Sequence, residues 1–356
     1  MTDRHACFIL PQVVLLEAAD RNEDLREAAM NTVAASASMR TQRVALTDLV
    51  RLLGAPAARI GELTPAGRLN TVYDVRNGSW DDLPGVRVRG VDDPPSGDRA
   101  VNEAFDHAAT TRDFYAKVLE RDSIDDAGME LVSSVHFDHD FDNAFWNGAQ
   151  MVYGDGSGKV LAKGGLTRDL SVVAHELTHG VVQFTAGLRY SKQSGALNES
   201  FADALGSVVR QWAAGETASA ADWLVGEGIL GSEMKGVALR SMKEPGTAFE
   251  GDRQPAHMRD YVDLPDDNNP RNDHGGVHIN SGIPNKAFYL AATRLGGHSW
   301  DKASPIWYDA LAKRLRPNSN FTEAADATIA SAGALYGVGQ DTEKAVRSAW
   351  EEVGVL

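Results

Sequence analysis

Val172-Val173-Ala174-His175-Glu176-Leu177-Thr178-His179, followed after nineteen intervening residues by Glu199, is the stretch that decides how this chain is read. Residues four apart lie on one face of an α-helix, so the imidazoles of His175 and His179 can converge on a single ion at about 2.0–2.1 Å. Glu176 sits about 100° round the helix from His175, near that ion without having to ligate it. A catalytic zinc typically keeps three protein ligands and an open position for water, and Glu199 is the candidate for the third. It lies in Asn198-Glu199-Ser200-Phe201-Ala202-Asp203, whose acidic residues again share a helix face. Glu199 would then face the metal while Asp203, with Asn198 nearby, supports the ligands from behind, Asp203 accepting the free ring N–H of a histidine. A pattern His-Glu-x-x-His alone arises by chance in roughly one chain in a hundred of this length. The flanks weigh against chance: Val172, Val173, Ala174, Leu177, Val181, Val182 and Phe184 make the helix apolar nearly all round, and such a helix is buried. Two histidines and a glutamate inside it need partners, which a metal supplies.

Beyond this helix the chain resembles the thermolysin family of zinc endopeptidases, from about residue 100 to the C-terminus. The resemblance is carried by Asn143-Ala144-Phe145-Trp146-Asn147-Gly148, Met151-Val152-Tyr153-Gly154-Asp155-Gly156, the zinc helix, Ser194-Gly195-Ala196-Leu197-Asn198-Glu199 and Gly275-Gly276-Val277-His278-Ile279-Asn280-Ser281-Gly282. It implies an α+β fold: a β-rich N-terminal lobe, a mainly α-helical C-terminal lobe, and the zinc helix at the floor of the cleft between them. It implies that His175, His179 and Glu199 bind one catalytic zinc and that Glu176 takes a proton from the zinc-bound water. By the same resemblance Tyr190 and His278 stabilise the oxyanion, and Asp273 orients His278. Asn143 and the carbonyl of Ala144 hold the substrate backbone and the leaving amine, and Arg240 binds a substrate carbonyl past the cut. Leu166, Val172, Ile229 and Leu239 match the pocket for the residue after the cut, which predicts a preference for Leu, Phe, Ile or Val there. Lys163 stands where relatives often carry an apolar residue, at the rim of that pocket.

Phe145 to Tyr153 reads as one strand, aromatic and β-branched, with a Gly-Asp-Gly turn after it. As an edge strand beside the metal it would take an extended substrate by strand addition.

At 356 residues, 43% hydrophobic and 24% charged, the chain is large enough for two lobes and ordinary for a globular protein. A net charge of −15 argues against nucleic acid as a partner, and no apolar run of transmembrane length points to a membrane. Protein or peptide substrates and a monomer are expected. Met1 to Pro11 lacks a basic region followed by a long apolar stretch, so a Sec-type signal is not read there. With a single cysteine, this favours a cytoplasmic location as synthesised, with export by a non-classical route the alternative.

Residues 8 to about 45 look separate from the rest. Two short helices are expected, broken at Arg21-Asn22-Glu23, the second ending in the small residues Ala34 to Ser38. They resemble the short propeptide of protealysin-type members of the family, whose apolar-Pro-Pro motif is matched in part by Ile9-Leu10-Pro11-Gln12. That likeness implies a zymogen with an N-terminal intramolecular inhibitor at residues 1–50, cut between 35 and 63, then lobes at 51–184 and 185–356. Cys7 and His5 raise the further idea of a thiolate in zinc's open position in the precursor. Strands are expected near Val72-Tyr73-Asp74-Val75 and Val86-Arg87-Val88-Arg89, a helix at 99–119, and further helices at 199–214, 284–295, 303–315, 322–335 and 341–352.

Many family members also bind a calcium pair through acidic positions that here read Ser171, Arg210 and Leu224, with Asp222 and Glu227 retained. Calcium favours six to eight oxygen ligands, so the pair is expected to be lost, with the Arg210 guanidinium pairing with Asp222 or Glu227 instead. The Asp138–Asp142 and Asp263–Asp273 loops are read as solvated, a lone calcium being the alternative. Two other functions compete with endoproteolysis. An aminopeptidase needs an acidic amine-binding motif of the Gly-x-Met-Glu-Asn kind, which is absent. A catalytically inactive binding protein has no need for Glu176, Tyr190 and His278 together.

Overall fold

A computed structural model describes residues 7–52, 70–267 and 269–356, with the side chains of 38–52 excepted. His5 and residues 53–63 of the expected processing range lie outside the described residues. The chain forms two compact units. One takes in the described residues up to Gly180 together with Gly228–Lys235; the other takes in Val181–Glu227 and Gly236–Leu356.

The first unit is built on a six-stranded mixed sheet. Its strands are β1 (Cys7–Phe8), β2 (Asn70–Asp74), β3 (Val86–Gly90), β4 (Leu131–Val135), β5 (Ala144–Trp146) and β6 (Met151–Tyr153). They lie in the order β1-β5-β6-β4-β2-β3, with β2–β4 and β4–β6 parallel and the other neighbours antiparallel. The expected single strand from Phe145 to Tyr153 is a hairpin. Asn147 accepts the N–H groups of Ala149 and Gln150 on its side-chain oxygen, at 3.0 and 2.9 Å, and Gly148 takes a positive φ of 99°. An Asn-Gly pair is a strong hairpin signal, and here it outweighs the β-rich composition around it.

The N-terminal helices are α1 (Gln12–Arg21) and α2 (Glu23–Leu52). Asn22 breaks the helix with extended backbone and accepts the Asp24 N–H at 2.9 Å. The second helix does not end at the small residues 34–38. Alanine is the best helix former, and small side chains let the helix lie close to the sheet. Thr32 and Ser36 are fully buried, and Ala35 packs on a cluster of Phe8, Val75, Phe137, Phe141, Phe145 and Val152 that Trp80 and Leu83 complete.

Helix α3 (Arg99–Leu119) starts where Asp98 caps the N–H groups of Ala100 and Val101. After the short α4 (Gly165–Arg168) comes α5 (Leu170–Gln183), the predicted zinc helix, in which Leu177 is almost wholly buried and Val172, Val173, Ala174, Val181 and Val182 are fully so. Asp169 caps its start through the N–H groups of Ser171 and Val172.

The second unit is mainly helical: α6 (Lys192–Ala214), the antiparallel pair β7 (Leu224–Val225) and β8 (Arg240–Ser241), α7 (Asp273–Asn280), α8 (Gly282–Leu295), α9 (Ala303–Asp309), α10 (Phe321–Tyr336) and α11 (Asp341–Glu352). Helix α6 begins at Lys192, well before the expected start at residue 199. Gly195, which looks like a breaker, is there for contact: a Cβ on it would come within 2.4 Å of Val277 Cγ1. In the helical core Phe288 meets Trp307 edge to face and Trp307 stacks on Trp350, whose indole N–H donates to Thr328 Oγ1 at 2.8 Å. No described helix is long and apolar enough to cross a membrane.

Candidate metal centre and catalytic residues

One turn of α5 separates His175 from His179 and brings their Nε2 atoms to 3.0 Å, with ring planes at 89° and both side chains buried. Two imidazoles on one tetrahedral zinc at about 2.0–2.1 Å would hold their nitrogens about 3.3 Å apart, so the pair has the spacing of co-ligands. With Glu199 they form a group of three ligand atoms, all within 4.8 Å of one another. Two imidazoles and one carboxylate are the donor set of a catalytic zinc with an open position. No other such group exists among the described residues, and Cys7, although buried, does not join this one. Thr178, between the ligands, bonds back to the Ala174 carbonyl at 2.7 Å and meets the Tyr115 hydroxyl of α3 at 2.7 Å, which fixes the rotation of α5.

Glu176 is fully buried, and its Oε2 accepts the Trp146 N–H at 2.9 Å. The glutamate thus touches the end of β5. That strand is already paired: β1 lies antiparallel to it, with Cys7 opposite Trp146 and Phe8 opposite Phe145. The Ile9 N–H donates to the Ala144 carbonyl at 3.2 Å. Asn143 takes the Leu10 N–H on Oδ1 at 3.0 Å and donates from Nδ2 to the Leu10 carbonyl at 2.8 Å. Asn143 and Ala144, the two positions expected to hold a substrate backbone, hold residues 9 and 10 of the chain itself. Thr32 adds a further tie by accepting the Asp142 N–H at 3.0 Å.

In the second unit the Tyr190 hydroxyl donates to Glu199 Oε1 and lies 3.0 Å from His278 Nε2. Asp273 meets His278 Nδ1 at 2.6 Å. Residues 273 to 276 make this possible: all four have left-handed backbone, φ 48°, 50°, 84° and 83°, and Gly275 and Gly276 supply half of the run. The turn folds the Asp273 carboxylate back onto the next helical residues, where Oδ2 accepts the N–H groups of His278 and Ile279. Burial pushes the His278 imidazolium down, but the carboxylates of Glu199 and Asp273 outweigh it and lift the pKa to about 9. Asn198 donates to the Leu188 carbonyl at 3.2 Å, steadying the segment before Tyr190.

Arg240 is buried on Asp203, with Nε at 3.0 and 2.8 Å from the two carboxylate oxygens and Nη2 at 2.8 Å from Oδ1. Burial works against its charge, and the Asp203 carboxylate more than compensates, so its pKa is raised. Asn285, to which no sequence signal pointed, donates to Asp203 Oδ2 at 2.8 Å. Gln254, equally unmarked, donates to the His278 carbonyl at 2.8 Å and to Ser281 Oγ at 2.9 Å.

Of the expected pocket residues, Leu166, Val172 and Ile229 are fully buried in the first unit, with Ile229 against Gly165 beside Leu166; Leu239 is buried in the second. Lys163 is turned to solvent and paired with Asp140 at 2.5 Å. Arg210 does what its position suggested: Nη1 and Nη2 take Asp222 at 3.1 and 2.5 Å, and Nη2 takes Glu227 at 2.8 Å.

This fold and site define a metallopeptidase. The models of the thermolysin metallopeptidase catalytic domain and of its alpha-helical domain match residues 38–183 and 186–355. The chain belongs to the thermolysin metallopeptidase family. It is 42% identical over 363 aligned residues to the extracellular metalloprotease of Pectobacterium carotovorum subsp. carotovorum, covering 100% of this chain and 98% of that protein. It is 46% identical over 291 residues to protease PrtS of Photorhabdus sp. (strain Az29), covering 80% and 76%. Among solved structures it resembles the precursor of protealysin, a metalloproteinase from Serratia proteamaculans, with a TM-score of 0.83, 38% identity, and 99% and 100% of the two chains covered.

The Pectobacterium relative also corrects the cytoplasmic location expected from the N-terminus, since a protein aligned over nearly both whole chains is named as extracellular. The expectation rested on one kind of export signal and on cysteine content, and neither physically requires a protein to stay inside.

Proposed function

We propose that the chain is the self-inhibited precursor of an extracellular zinc endopeptidase that cuts before large apolar residues. The observation that carries this reading is the pairing of residues 7–10 with β5 and Asn143, on the strand whose last N–H holds Glu176. Strand addition gives main-chain affinity that is blind to sequence, and the edge of β5 can pair with only one segment at a time. The N-terminal segment therefore inhibits by occupancy. The protealysin precursor as structural neighbour supports a zymogen, with residues 1–50 as propeptide, 51–184 as the zinc-helix lobe and 185–356 as the helical lobe.

His175, His179 and Glu199 would hold the zinc, which when bound acts as a Lewis acid toward water and the substrate carbonyl. Glu176, fixed by Trp146, takes the proton from the attacking water and passes it to the leaving amine. Ala144 accepts that amine's N–H, and Asn143 holds the backbone beyond it. Tyr190 and His278 donate to the developing oxyanion, with Asp273 keeping His278 Nδ1 protonated and its Nε2 directed at the reacting centre. Arg240 binds a substrate carbonyl past the cut, and Leu166, Val172, Ile229 and Leu239 select the side chain there. The Arg210 pairing supports a protein that has replaced a calcium pair by a fixed cation. We read the enzyme as a monomer acting on proteins or peptides, without nucleic acid or membrane as partner.

Mass spectrometry of an unfolded protein digested by the matured enzyme tests this reading. Cuts are expected before Leu, Phe, Ile and Val, and the purified precursor is expected to be far less active. Cuts with no apolar bias, or a precursor as active as the matured chain, would overturn it.

A further inference from the structure

We propose that Asn285 is a positioning residue for substrate binding, acting on Arg240 through the carboxylate of Asp203. The inference rests on the reading of Arg240 as the group that binds a substrate carbonyl.

Asp203 lies one turn after Glu199 on α6 and is fully buried. Its Oδ1 receives Arg240 Nε at 3.0 Å and Nη2 at 2.8 Å, while Oδ2 receives Nε at 2.8 Å. A guanidinium and a carboxylate joined in this way form one planar unit, whose direction is set by rotation about the aspartate Cβ–Cγ bond. That rotation is what a further donor on Oδ2 fixes, and Asn285 Nδ2 is there at 2.8 Å. The donor comes from another helix. Asn285 stands in the first turn of α8, its own N–H bonded to the Ser281 carbonyl at 3.0 Å, and its side chain is fully buried.

The other end of the amide argues against a merely structural part. Asn285 Oδ1 is buried with no hydrogen-bond partner among the protein atoms. An unpartnered buried carbonyl is destabilising, and a leucine of similar volume would avoid it. An asparagine at this position is explained by what its N–H holds. Since Asp203 sits between Asn285 and Arg240, loosening the amide changes the aim of the guanidinium. A contact made equally to bound substrate and to the transition state affects KM and leaves kcat alone.

The test is steady-state kinetics of the matured enzyme on an internally quenched peptide cut before leucine, comparing wild type with Asn285→Leu and Asn285→Ser, and measuring zinc per protein. A rise in KM of about 10-fold with kcat within about twofold and zinc unchanged is expected, as loss of one aligned charge-assisted contact. In an Arg240→Lys background the Asn285→Leu change should add nothing further to KM. An unchanged KM, a fall in kcat or zinc at constant KM, or additive effects in the double variant would overturn the proposal. Should Asn285→Leu fail to fold, Asn285→Ser carries the same reading. Wild-type enzyme that does not cleave the peptide at all would count against the proposed function itself, which separates the two failures.

Discussion

The backbone N–H of Trp146 donates to Glu176 Oε2 at 2.9 Å, so the glutamate of the zinc helix and the edge strand of the sheet share one hydrogen bond. A segment that pairs with β5 therefore passes beside the proposed general base in a fixed register. Residues 7–10 use that register, and their contacts say how strongly the segment is held.

Asn143 grips both the N–H and the carbonyl of Leu10. Asn143→Ala removes two hydrogen bonds worth about 1–3 kcal/mol together, so the precursor should show a rise in basal activity and the matured enzyme a loss of affinity for peptides, each about 10- to 100-fold. Parallel assays of the purified precursor and the matured variant check both. A variant indistinguishable from wild type in both would mean that the amide holds neither segment.

Phe8 is the apolar anchor of the same segment, 4% exposed, with its ring centroid 5.3 Å from that of Phe145. Phe8→Ala removes a buried aromatic side chain, a change that costs about 3–5 kcal/mol in a core. The cost falls on docking of the N-terminal segment, so the lag before activity appears should shorten. Time courses of processing followed by electrophoresis will show it; an unchanged lag would place the inhibitory energy elsewhere.

Arg210 bridges Asp222 and Glu227 where calcium would need oxygen ligands. Millimolar calcium should shift the melting temperature of the zinc-loaded protein by less than about 2 °C. The pair is partly exposed, so Arg210→Ala should cost only about 1 kcal/mol. Calorimetry with and without calcium decides; a rise of many degrees would show that a calcium site survives.

His136 is clasped between two carboxylates, Nδ1 to Asp155 at 2.8 Å and Nε2 to Asp98 at 2.9 Å. The hydrogen bond to Asp155, against burial and together with both charges, lifts its pKa from 6.5 to about 9. The folded value lies above the unfolded one, so the stabilisation is fully present below pH 6.5 and is lost as the pH rises through about 9. Denaturant titrations across that window should show wild type losing stability while His136→Gln stays flatter. Equal slopes would remove His136 from the alkaline limb.

What was legible in the sequence was local. His175, Glu176 and His179 declare themselves because helical periodicity alone brings them together, and the helix at 99–119 because a Pro-Pro-Ser-Gly loop precedes it. The hairpin at 144–153 was legible in principle through Asn147-Gly148, a signal that the surrounding β-rich residues masked. What was not legible depends on long-range closure. Asn143 meets Leu10 across 133 residues, and Asn285 meets Asp203 across 82, and no periodicity spans such distances. Asp273 is intermediate. Its role was implied by the resemblance, and it reaches the ring because four left-handed residues fold the chain back.

The most direct test of the proposed mechanism is to load matured wild type and Glu176→Ala with zinc, measure metal per protein, and assay casein cleavage with and without phenanthroline. Equal zinc in both proteins is predicted, with cleavage stopped by phenanthroline in wild type and reduced at least about 10²–10⁴-fold in the variant, the range expected for a lost general base. Zinc-dependent cleavage that survives Glu176→Ala would contradict the role given to Glu176.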